Sequence, residues 1–174
     1  MELPGSGYLY ALATVAITFV GFSALLIVFR QSIGGGATRY DAYFTMSFIQ
    51  PNFIVAGGAL VPPLLALCSL SEDTVWRLSS ALTAFAILLF VVTVPTRRHA
   101  AVDEPIPLYI RVLLVLQFSG ALLLIANAAG RPFAPGPGPY ALAITWLLFT
   151  TAIAYLRALG ISIHKPLPRV EHHS

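Results

Sequence analysis

The groups in this chain that can do chemistry are neutral, and they concentrate in residues 46–67, MSFIQPNFIVAGGALVPPLLAL. A proline at position i deletes the helical bond to the carbonyl at i−4. Pro51 therefore frees the carbonyl of Ser47, while Pro62 and Pro63 free those of Gly58 and Ala59. Carbonyls released away from water must find partners on another helix, a hydroxyl, a water or an ion. Gly57 and Gly58 let a second backbone come close, and Gln50 and Asn52 add side-chain amides about two turns away. Two readings follow. In one, the helix is broken and Gln50, Asn52, Gly57 and Gly58 contact an ion or neutral solute. In the other, a proline-kinked helix packs against its neighbours through small residues. Gln50 and Asn52 leave a regular helix on nearly opposite sides, so the first reading requires local unwinding.

Two further faces can pair with this stretch. Gln117, Gly120, Leu124 and Asn127 fall within roughly 80° on a helical wheel, and Thr14, Thr18 and Gly21 within about 60°. Each is a small and polar stripe of the kind that glues helices together. Read as inner faces, the three stripes converge on an uncharged polar core, with Gln117 and Asn127 joining the pathway residues.

Other chemistry finds little support. No Asp, Glu, His or Lys falls within an expected span, which excludes bis-histidine haem or a protease centre at membrane depth. Gly21-Phe22-Ser23-Ala24-Leu25 lacks the final glycine of a nucleophile elbow, so Ser23 reads as a packing residue. Gly34 to Gly36 are followed by no Lys-Ser or Lys-Thr and read as a hinge, not a phosphate cradle. Cys68 is the single cysteine, and the adjacent His172 and His173 lack further ligands. No metal, cofactor or catalytic residue is expected, and the chain reads as a non-enzyme.

The elements that position these residues follow from composition. Of 174 residues, 57% are hydrophobic and 10% charged; soluble domains carry about 25% charged residues. Lipid must therefore replace water around much of the surface. The expected fold is all-α: a bundle of five transmembrane helices over residues 8–29, 43–69, 78–94, 108–129 and 140–159. Residues 161–174, with little to bury, are expected to form a disordered cytoplasmic tail. Pro95 is expected to stop the third span, and the Pro/Gly-rich residues 131–139 to be neither helix nor strand. With the N-terminus outside, eight of the ten Lys and Arg fall inside, and only Arg77 and Arg131 outside. The positive-inside rule thus predicts N-out, C-in. Tyr8, Tyr10, Trp76 and Tyr140 are expected at the outer boundary, and Tyr40, Tyr43, Tyr109 and Tyr155 at the inner one. The basic balance reflects this loop charge, so no nucleic-acid partner is expected.

Arg30, Arg39, Arg97, Arg98 and Arg111 form an inner basic cluster that can draw anionic lipid heads, although fixing orientation is reason enough for it. The functional expectation is an oligomeric channel or small transporter for an ion or small solute, in a bacterial cytoplasmic membrane. The alternative is an accessory or scaffold subunit of a larger membrane complex. Membrane lipid and either further copies of the chain or a partner subunit are the expected partners.

Overall fold

The computed structural model describes residues 3–32, 39–101 and 106–163. Regular structure among them is entirely helical: α1 (Ser6–Ser32), α2 (Arg39–Ala66), α3 (Glu72–Ala101), α4 (Leu108–Ala129) and α5 (Pro137–Ile163). All five are long and apolar enough to cross a membrane. The glycine run 34–36, Asp103, Glu104 and the tail from His164 lie outside the described residues, as do the side chains of Arg30 and Arg39.

Local chemistry sets the helix ends. Ser71 caps α3: its Oγ accepts from the Thr74 amide at 3.4 Å and its carbonyl from Val75 at 3.0 Å. Glu72 and Asp73 then face the positive end of the helix dipole. At the far end of α4, Gly130 takes a left-handed conformation, φ 69°. Arg131 N then reaches Ala126 O at 3.2 Å and Gly130 N reaches Asn127 O at 3.3 Å, the two bonds of a Schellman close. Helix α5 begins earlier than expected, inside the connector, because Pro137 and Pro139 occupy a first turn where no amide donor is required.

Pro95 does not stop α3, which continues to Ala101. A proline within a long helix removes one bond, here to the Val91 carbonyl, and the remaining ladder carries the chain on. Helix α2 is likewise continuous through Pro51, Pro62 and Pro63.

Helix α5 packs against each of the other four, and α2 against α1, α3 and α5. Their shared core holds Leu9, Ala16, Val55, Ala59, Ile87, Leu124, Ile144 and Leu147. The outside is equally apolar: Phe22, Leu25, Leu64, Phe85, Val92, Val115, Leu142, Phe149 and Leu156 are all exposed. Such a surface is compatible with an integral membrane protein and far exceeds what water-soluble monomers display.

The polar stripe of α1 corrects an expectation. Thr14, Thr18 and Gly21 point away from the bundle, and the threonine hydroxyls return to their own helix at Tyr10 O and Thr14 O, 2.9 and 2.8 Å. The inward face is instead Leu9, Leu12, Ala13, Ala16 and Ser23. Ser23 packs there with its hydroxyl on Phe19 O at 2.8 Å.

The two glycines of α2 also part company. A Cβ on Gly58 would lie 2.8 Å from Thr83 Cγ2 and 3.2 Å from Ile144 Cδ1, whereas one on Gly57 meets nothing within 4 Å. Gly58→Ala is therefore expected to destabilise the bundle by about 1–3 kcal/mol. Gly57→Ala should leave stability unchanged or raise it by up to ~1 kcal/mol through helix propensity. Reversible unfolding in mixed micelles, followed by circular dichroism, checks both.

Candidate functional site

The carbonyl that Pro62 frees has a partner. Tyr140 Oη donates to Gly58 O at 2.6 Å, and Thr83 Oγ1 lies 3.0 Å from the same phenol oxygen. The phenol has one proton and gives it to the carbonyl, so the threonine hydroxyl is the donor to Tyr140. Three helices meet here: α2 supplies the acceptor, α5 the bridge and α3 the second hydroxyl. Gly58 allows the approach, because any side chain would collide with Thr83. Tyr140 is 0% exposed and packs on Trp76, 1% exposed, with ring centroids 5.6 Å apart. Neither residue belongs to an outer aromatic belt. Their places near helix starts suggested one, but the orphaned carbonyl and the core hold them inside.

Asn127 makes a second polar junction. Its Nδ2 donates to Ser80 Oγ at 2.8 Å and to Gly136 O at 3.3 Å, while its Oδ1 accepts from Gly136 N at 3.1 Å. The amide thereby pins the Pro/Gly connector to α3. Arg77 reinforces this end, bridging Asp73 at 2.7 Å and Ala128 O at 3.2 Å.

A third junction joins α4 to α5. Gln117 Nε2 donates to Thr151 Oγ1 at 3.2 Å. On the outer side of the same seam, Trp146 Nε1 is shared between Leu116 O at 2.9 Å and Ser119 Oγ at 3.1 Å. Gly120 makes the seam close, since a Cβ there would meet Leu147 Cδ2 at 2.9 Å.

At the opposite end from Arg77, Arg97 Nη1 donates to Gln50 Oε1 at 2.6 Å. Arg157 stacks over the Tyr109 ring, 4.7 Å from its centroid. Arg98 is buried and Arg111 exposed.

The expected pathway residues are thus distributed over several places. Gln50 sits with Arg97, and Asn52 is buried between helices. Gly58 lies about 9 Å further along α2 in the Tyr140 junction, and Gly57 faces outward. Gln117 and Asn127 are separated by about 15 Å along α4 and serve different junctions. Thr83, Ser80, Thr151 and Trp146 complete these junctions without having been singled out from sequence, and Tyr140 was read there only as a boundary aromatic. Ser80, Thr83 and Ile87 recur at helical spacing on α3, which was the available signal; the reach of Tyr140 across three helices had none. Among the described residues, no three His, Cys, Asp or Glu side chains are grouped to hold a metal ion.

Comparison with known proteins finds no matching family model, no matching curated protein and no matching solved structure.

Tyr140→Phe should cost about 1–3 kcal/mol, because it leaves the Gly58 carbonyl buried without a donor. Pro62→Ala restores an amide at the position that can bond that carbonyl. The Tyr140→Phe penalty should therefore shrink in the Pro62→Ala background, with a coupling of at least about 0.5 kcal/mol in a double-mutant cycle. Equal penalties in both backgrounds would show that the phenol does not replace the missing helical donor.

Proposed function

We propose that the chain is an integral membrane protein with five spans, N-out and C-in, that works through assembly as a non-catalytic accessory or scaffold subunit. The observation that supports this reading is where the polar groups go. Gly58, Gln117 and Asn127, which could have lined a route through the bundle, bond to neighbouring helices or to the connector. A small-residue face at Thr14, Thr18 and Gly21 is meanwhile turned outward on α1. Faces of this kind let helices of another chain approach closely in lipid. Arg97, Arg98, Arg111 and Arg157 gather at one end, with Arg77 and Arg131 at the other, and this asymmetry supports the orientation. A bacterial cytoplasmic membrane is the proposed location.

A second reading, an oligomeric channel or small transporter, is supported by the hydroxyls of Thr14 and Thr18 on that same outer face. Copies of the chain arranged around them would enclose a neutral, weakly polar path between subunits.

Single cysteines placed in a Cys68→Ser background separate these readings in native membranes. Under mild oxidation or a short bifunctional crosslinker, Thr18→Cys should form adducts and the inward Ala16→Cys should not. A homodimer favours the oligomeric reading, and a reproducible heterologous adduct the accessory one. Equal reactivity at the two positions removes α1 as the assembly face. In proteoliposomes, Thr14→Val combined with Thr18→Val should leave any solute flux unchanged under the accessory reading and abolish it under the permeation reading.

A further inference from the structure

Arg98 differs from the other arginines of its end whose side chains are described, Arg97, Arg111 and Arg157. It is 5% exposed, and its Nε has no hydrogen-bond partner among the described residues. Arg97, one residue earlier, reaches Gln50, and Arg157 lies on Tyr109. Arg98 instead continues the buried face of α3 that runs through Thr83, Ile87 and Val94. Burial without a counter-charge costs several kcal/mol per ion, so the position calls for an anion. The exposed Arg97 and Arg111 lie at the same end, where α4 also begins, behind Pro107, with no side-chain cap on its first-turn amides. All three features favour negative charge. Depth narrows the source: the apolar span of α3 ends at His99, the residue after Arg98. A side chain there sits where headgroup phosphates begin.

We propose that Arg98 is the inner contact of a site for a phosphate-type anion, supplied by the phosphodiester of an anionic lipid, with Arg97 and Arg111 as its outer charges. The planar guanidinium offers paired N–H donors that match two phosphate oxygens, which a lysine ammonium does not. The inference rests on the reading that the five helices span a bilayer.

The test uses the full chain in neutral-detergent micelles doped with phosphatidylglycerol or with phosphatidylcholine, read by thermal midpoint and by lipid retention in native mass spectrometry. The wild type should gain stability only with phosphatidylglycerol and retain it at least about tenfold more tightly than Arg98→Met does. With phosphatidylcholine alone, Arg98→Met should equal or exceed the wild type, since it removes a buried charge that lacks a partner. Arg98→Lys should keep part of the lipid preference. Inorganic phosphate giving the same gain in phosphatidylcholine micelles would uphold the site and assign it to a soluble anion. An equal phosphatidylglycerol gain in wild type and Arg98→Met overturns the proposal. So does a loss on Arg98→Met that is the same in both lipids, which would mark Asp41, Asp103 or Glu104 as an internal counter-ion. Failure of the bilayer reading itself is distinguishable: the chain would leave membranes on alkaline extraction without detergent.

Discussion

Pro62 takes away the helical donor of the Gly58 carbonyl, and the hydroxyl that replaces it determines how α2, α3 and α5 can sit. Only a long side chain with a terminal donor reaches that oxygen from α5, and only a position without a side chain admits it on α2. Tyr140 and Gly58 meet both conditions, and Thr83 orients the phenol by donating to it. A neutral hydrogen bond contributes about 1 kcal/mol net in water, but an unmet carbonyl in an apolar interior costs more than that. The constraint therefore acts mainly by excluding other arrangements. Because α5 touches every other helix, fixing it against α2 orders the whole bundle.

Polar groups elsewhere are handled in the same way. Asn127 holds the connector backbone with both its amide nitrogen and its oxygen, and Gln117 bonds a threonine across the α4–α5 seam. Each junction uses a neutral side chain whose partner sits on another element. In lipid, helices whose inside and outside are equally apolar gain little from burial when they associate, and there such bonds and close glycine contacts would decide their register. The collision distances at Gly58 and Gly120 mark the two places where backbone proximity matters most.

Much of the fold was legible from composition, and less of the site. Five apolar stretches, the Ser71 cap and the bounds of α4 follow from residue types alone. The freed carbonyl at Gly58 was also legible, since proline chemistry is local. What could not be read was direction. In water, an apolar stripe marks the inner face of a helix; here Phe22 and Leu12 are equally apolar, yet one is exposed and the other buried. The Thr14–Thr18–Gly21 stripe consequently carried no sign of which way it faced. Tyr140 misled for a related reason: an aromatic at a helix start resembles a boundary residue until its distant acceptor is known. Pro95 was weighed as a terminator because its local effect is strong, but a long helix absorbs one lost bond.

The two tryptophans are placed so differently that they constitute a pair of built-in optical reporters. Trp76 is enclosed beside Tyr140, while Trp146 is 39% exposed with its indole nitrogen tied to α4. With the five helices in a bilayer, as proposed, quenchers carried on acyl chains would collide with the second ring and not the first. The unquenched fraction of emission thus belongs to the α3–α5 interior, and the quenched fraction to the α4–α5 seam. Loosening of either region would be visible separately by its own colour and lifetime, without any label added to the chain.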